Sequence, residues 1–292
     1  MTEQATLFTA QVHRMDFDAD SIYTSIGREI IRWDKKTKQA LTVYTLPPND
    51  NLNKGARFAV DERSIYGNSI YFFHVMDKRS GEVTYQQRFG RDNQSDLDLG
   101  TVLVDEGNIY FPVRNRGLAV VDKRNYDRVC YLNEEKGSVW ALAQDESTIY
   151  LGGVDKNIYA FEKATLKHTA TFSGHKGNIH DLFSFQDYLV SVSADTSLIF
   201  WDKKSASPVQ HLKKIKCSLG CAAMTEQYLV CAAKGTMRIW DTKSWALLQE
   251  TPVSFGTMFF DDGVIYIANR KVPRVDVFTI EDAVRGNAGR CS

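Results

Sequence analysis

Gly174-His175, Asp195 and Trp201-Asp202 are the residues whose types and spacing could carry chemistry. An imidazole close to a carboxylate can act as a general base, with a third polar group to orient it. An ionised Asp inside a tight turn needs donors, and an imidazole can link it to a hydroxyl. The neighbours of His175 favour the structural link over catalysis. The remaining histidines are His13, His74, His168, His180 and His211, and none forms an i, i+4 pair of the kind that grips a metal on a helix. No GxxxxGKS or GxxxxGKT phosphate loop occurs, nor GxGxxG after a strand, HExxH or GxSxG. The run "DLDLG" at 96–100 alternates acidic residues without the further ligands of an EF-hand loop, and reads as solvated. No metal and no cofactor is expected.

Cys130, Cys217, Cys221, Cys231 and Cys291 are odd in number, include no CxxC pair and lack zinc-finger partners, so they read as reduced thiols of a cytosolic protein. The 36 basic and 36 acidic residues cancel, which argues against a generic nucleic-acid binder. "MTEQATLFTAQVHR" has no basic region followed by an apolar one, and no 18-residue apolar stretch exists. A cytoplasmic location without a membrane span is therefore expected, with the nucleus open.

A repeat must position these residues. The acidic residue after the second short apolar run, or its replacement, falls at Asp34, Asp77, Asp122, Glu162, Asp202, Asp241 and Thr279, in steps of 43, 45, 40, 40, 39 and 38. A second marker moves with it: Ile22-Tyr23, Ile65-Tyr66, Ile109-Tyr110, Ile149-Tyr150, Leu189-Val190, Leu229-Val230 and Ile265-Tyr266. Polar turns such as "DADS", "DERS", "DEGN" and "DEST" precede most of these pairs. Each unit reads as four short strands rich in Ile, Val, Tyr and Phe. Four strands in about 40 residues imply a β-propeller, because one small sheet cannot bury both faces alone. The expected fold is all-β: one domain, 1–292, built as a seven-bladed β-propeller of four-stranded antiparallel blades. Residues near Ala5–Thr9 are expected to form the outer strand of the last blade and close the ring.

The stretch 173–204 resembles a WD40 repeat through Gly174-His175, Asp195 and Trp201-Asp202. The resemblance implies a structural relay over His175, Ser191 or Ser193, Asp195 and Trp201. Trp33-Asp34 and Trp240-Asp241 keep the end of the motif, and the other units are recognisable by spacing. Units such as "STIYLGGVDKNIYAFEKATLKHTATF" are also similar to quinoprotein-type propeller repeats.

Propeller platforms bind where an outer strand returns to the next inner strand. Aligning the units puts His13, Ala56, Gly100, Trp140, His180, Gly220 and Gly256 at the channel mouth. The large groups fall on three units, so the mouth should be lopsided, with Trp140 and His180 side by side. Packing between blades 4 and 5 would also account for Trp140. Arg57, Arg114 and Arg116 would add charge at the rim. Lys203, Lys204, Lys213, Lys214 and Lys216 form a basic strip, read either as protection of an edge strand or as a contact for an acidic partner, a phosphate backbone or an anionic membrane surface. No FRRG phosphoinositide motif is present. The leading reading is a non-catalytic protein–protein interaction platform. The alternatives are a propeller enzyme of metal-dependent hydrolase or lyase type with an axial site, and a substrate receptor of a ubiquitin ligase. The last is weakened because Asp34 and Asp202 are followed by Lys-Lys where that class carries Arg.

Overall fold

The structure is a computed structural model. It describes residues 7, 12–46, 58–68, 72–89, 101–114, 116–126, 129–133, 136–213, 215, 222–233, 235–253, 256–269 and 271–286. Seven antiparallel sheets follow one another along the chain, and within each the strands pair in sequence order. Six have four strands and the seventh shows three among the described residues. Blade 1 runs from Arg14–Phe17 to Ala40–Thr45, blade 4 from Val139–Gln144 to His168–Ser173, and blade 7 from Gly256–Asp261 to Val275–Thr279. A five-residue helix, Ile280–Val284 (α1), follows.

The sequence periodicity has a local cause. In blade 1 the Asp34 carboxylate accepts the N–H groups of Lys36 and Thr37 at 2.9 and 2.6 Å, capping the turn between the third and fourth strands. Asp77, Asp202 and Asp241 cap their own turns in the same way through Ser80, Ser205 and Ser244. An Asx cap of this kind nucleates a turn within a single unit. Four residues after the mark the backbone enters the left-handed region. Blade 2 has Gly81 there at φ 76°, whereas blades 5 and 6 hold Ala206 at 52° and Trp245 at 59°.

The core lies between blades. Each of seven apolar clusters joins two neighbours, for example Phe73, Val75, Phe111 and Val121 between blades 2 and 3. This is the arrangement expected of small sheets that cannot each keep both faces dry. The seam between blades 7 and 1 is closed by side chains. Leu7, Ile22 and Trp33 pack with Tyr266, Ala268 and Val275, and Phe17 meets Tyr266 at 5.2 Å. The expected closing strand at Ala5–Thr9 lies outside the described residues except for Leu7, which is fully buried at this seam and donates its N–H to the Lys38 carbonyl of blade 1.

Candidate functional site

The turns between second and third strands, and the links from one blade to the next, lie on one face of the ring. That face carries the relay of blade 5. His175 Nδ1 is 3.0 Å from Asp195 Oδ2, and Nε2 is 2.6 Å from Ser191 Oγ. Trp201 Nε1 donates to Ser191 Oγ at 2.8 Å. Burial disfavours the charged imidazole and outweighs the pull of Asp195, so the His175 pKa lies below its usual value. Burial alone would raise the Asp195 carboxyl, but Ser197, the Lys176 N–H and His175 hold it far below the usual range. A neutral ring beside an ionised carboxylate fixes the proton order: Trp201 and Ser191 donate toward His175, and His175 Nδ1 donates to Asp195. Both ring nitrogens are thereby engaged. Ser193 serves the backbone instead, donating to the Gly177 carbonyl at 2.9 Å. Blade 1 keeps a shortened version, with Trp33 Nε1 donating to Thr24 Oγ1 at 2.7 Å.

Trp140 and His180 sit on the first strands of blades 4 and 5 at the same face. Both strands shift register at these residues, between Val139 and Ala141 and between Ile179 and Asp181. A bulge re-aims the extra side chain, and here two bulges in adjacent blades aim at each other. The rings stack with centroids 5.5 Å apart and planes 4° from parallel. Both residues are half-buried. Burial pushes the His180 imidazole below its usual pKa, and its Nδ1 is enclosed without a hydrogen-bond partner among the described residues. Gly152 allows the close approach of the two blades, since a Cβ there would lie 2.7 Å from Ile179 Cγ2.

Other sequence candidates distribute as follows. His13, Arg114 and Arg116 are exposed on this face, and the Arg116 guanidinium lies 5.3 Å from the Tyr131 ring centroid. Arg57, Ala56, Gly100, Gly220, Lys214, Lys216, Cys217, Cys221, Cys291 and the run 96–100 lie outside the described residues. Lys203 does not contribute to an open basic strip: its Nζ is 2.9 Å from Asp145 and is only 14% exposed. Lys204 and Lys213 are exposed.

The axial channel is a cavity of ≈ 380 Å³ bounded by the first strands of all seven blades. Its polar groups include Arg14, Asp16, Gln144 and Asp181. Asp16 Oδ2 accepts the Val60 N–H of blade 2 at 2.7 Å. Burial pushes the Asp16 carboxyl up to about 7, against the backbone N–H groups of Phe17 and Val60. Among the described residues no three His, Cys, Asp or Glu side chains converge as a metal site. No helix is long and apolar enough to cross a membrane among the described residues.

The opposite face holds a device that repeat spacing alone did not expose. Asp18 Oδ1 caps its own turn through the Ser21 N–H at 2.8 Å, while Oδ2 accepts the Tyr23 hydroxyl at 2.8 Å and the Lys78 ammonium of the next blade at 2.8 Å. Asp61, Tyr66 and Lys123 repeat this between blades 2 and 3, at 2.7 Å for the hydroxyl and 2.6 Å for the ammonium. Asp105, Tyr110 and Lys163 repeat it between blades 3 and 4, and Asp145, Tyr150 and Lys203 between blades 4 and 5. At the seam Lys35 pairs with Asp261 at 2.7 Å. Burial tends to raise the Asp18 carboxyl, but Lys78 and Tyr23 prevail and hold it at about 2. The signal was in the sequence: an Asp five residues before the Tyr, and a Lys just after the mark of the following unit. Where Phe185 and Val190 replace Asp and Tyr, Thr242 replaces the Lys; where Thr225 and Val230 replace them, Ile280 does.

Residues 166–202 match the family described as WD domain, G-beta repeat. Human WD repeat-containing protein 36 is 33% identical over 137 residues, which is 45% of this chain and 15% of that protein. The chain therefore spans only a small part of that relative. Among solved structures, a chain of the mitotic checkpoint complex superposes with a TM-score of 0.78 at 10% identity, covering 96% of this chain and 94% of its own. The computationally designed Ika8 protein superposes at 0.69 and 14% identity, covering 95% of this chain and 98% of its own. At these identities the two structures share the fold.

Proposed function

We propose that this chain, which belongs to the WD40-repeat β-propeller family, is a non-catalytic interaction platform that receives a partner's side chain at the Trp140–His180 stack beside the channel mouth. The observation that carries this reading is the pair of facing bulges. They hold two aromatic rings parallel and half-buried on the face that carries the links between blades. A rigid aromatic surface is suited to anchoring a protruding side chain, because little conformational freedom is lost on contact. His13, Arg114 and Arg116 supply a polar rim on the same face. His175 does not compete for the role, since both its ring nitrogens are engaged.

An axial enzyme is the second reading, and Asp16 is the one observation that favours it. A carboxyl at about 7 inside a channel has the pKa of an acid–base group. Affinity capture from the source cell with wild type, Trp140→Ala and His180→Ala tests the first reading. Loss of the same partners in both variants is expected, at a cost of about 2 kcal/mol or roughly 30-fold in affinity for a central aromatic anchor. An unchanged partner set, with circular dichroism also unchanged, would remove the stack from the interface.

A further inference from the structure

Two junctions lack the Asp–Tyr–Lys latch, and they are filled differently. Between blades 6 and 7, Ile280 stands in the lysine's place and is buried with Ala283 of α1, so apolar side chains plug the underside. Between blades 5 and 6, Phe185, Val190 and Thr242 stand in the latch positions, and a cavity of ≈ 350 Å³ opens there. Phe200 of blade 5 lines it together with Met224 and Trp245 of blade 6. This junction is neither tied nor filled. Blade 6 is thus the blade with no ion latch on either flank among the described residues, since Lys35 and Asp261 tie blade 7 to blade 1 and Lys203 and Asp145 tie blade 5 to blade 4.

Thr242 shows what is missing. A latch lysine makes two bonds. Lys78 Nζ donates to the Asp61 carbonyl of its own blade at 2.6 Å and to Asp18 of the preceding blade at 2.8 Å. Lys203 Nζ divides itself in the same way between the Gln186 carbonyl at 2.6 Å and Asp145 at 2.9 Å. Thr242 Oγ1 keeps only the bond within its blade, donating to the Glu226 carbonyl at 2.6 Å. Its side chain is too short to cross, and Phe185 offers no carboxylate to meet it. What crosses on this face is the Gln186 amide, which donates to Glu226 at 3.2 Å in an exposed position. Such a bond holds less than an ammonium shared between a carboxylate and a carbonyl that are partly shielded from water. The Phe200 and Trp245 rings do meet, at 4.3 Å, but side chains that face a gap forfeit dispersion attraction along it. Closer packing resumes deeper in, where Val192, Leu198 and Leu229 surround Cys231, which is 2% exposed.

We infer that the ring opens first between blades 5 and 6, in a local event that leaves the latched junctions closed and has blade 6 as its moving part. A closed ring whose junctions differ in strength parts at the weakest, and the latched sector from blade 1 to blade 5 stays behind as one body. Opening bares Phe200, Met224 and Trp245 and brings the Cys231 thiol to solvent. That buried thiol sits in the cluster shared by the two blades and reports their separation directly. The junction parts on the face opposite Trp140 and His180, so the inference does not rest on the platform reading.

Iodoacetamide labelling of the whole chain, with each cysteine followed by peptide mass spectrometry, tests this alongside hydrogen exchange of the backbone. The amides of Tyr228–Ala233 in blade 6 should be protected about tenfold less than those of Thr148–Gly153, the equivalent strand of blade 4, which is latched on both flanks. Cys231 labelling should respond only weakly to low urea, because a local opening exposes little surface. Phe185→Asp combined with Thr242→Lys grafts the missing pair, and it should slow Cys231 labelling about tenfold. Circular dichroism verifies that the graft keeps the fold, and the wild-type measurements decide by themselves if it does not. Equal protection of the two strands would overturn the inference. So would Cys231 labelling that climbs with urea as steeply as global unfolding, or a folded graft that is labelled as fast as wild type.

Discussion

Asp16→Asn should stabilise the ring increasingly as pH rises from 5 to 8. Asp16 lies on the first strand of blade 1, in the wall of the axial channel, and ties to blade 2 through the Val60 N–H at 2.7 Å. Burial pushes its carboxyl up to about 7, the backbone N–H groups of Phe17 and Val60 oppose this, and Asp18 and Asp261 add to the rise. In the unfolded chain the same group titrates near ~3.9. A folded value above the unfolded one means that the native state keeps the proton longer. The stabilising contribution is therefore complete below about pH 4 and is lost as pH climbs through about 7. Integrating the linkage from pH 5 to 8 gives about 2–3 kcal/mol; Asp16 is only partly buried by surface area, which screens the carboxylate, so about 1–2 kcal/mol is expected. Asn has the same shape, stays neutral throughout, and its carbonyl can accept the same N–H. Urea unfolding of both proteins at pH 5, 6, 7 and 8 and constant ionic strength measures the effect, and the comparison cancels the other titrating groups. A stability difference that stays flat across this range, or that moves in favour of wild type as pH rises, would refute the argument that burial keeps Asp16 neutral.

The latch makes a second prediction: a double-mutant cycle over Asp18→Asn and Lys78→Met should give a coupling of about 1–2 kcal/mol at pH 7, read from denaturant midpoints. Because the folded Asp18 pKa is depressed to about 2, that coupling is present above about pH 4 and should fade as pH drops toward 2; a coupling indifferent to acid would deny the ion pair its role. Gly152→Ala should cost about 1–3 kcal/mol by thermal unfolding, since the new methyl would lie 2.7 Å from buried Ile179; a neutral effect would show that blades 4 and 5 can part without loss.

The amino-acid sequence determined the features that live inside one unit. An Asp that caps its own turn, an apolar pair at constant distance and four short strands need only local backbone hydrogen bonds and alternation, so the seven-bladed ring was legible from Asp34 through Thr279. Pairings across blades were decided by the tertiary structure, because they depend on which surfaces the ring presses together. Asp18 and Lys78 are 60 residues apart and become partners only when blade 1 meets blade 2. Trp140 and His180 were placed at the mouth by alignment, yet their parallel stack depends on two bulges and on the space left by Gly152, which spacing does not report. The raised pKa of Asp16 follows from its burial in the channel wall, and the aromatic recess from the loss of one latch between two blades. Local hydrogen bonding can be read along a chain, whereas desolvation and shape exist only once distant surfaces have closed around a group.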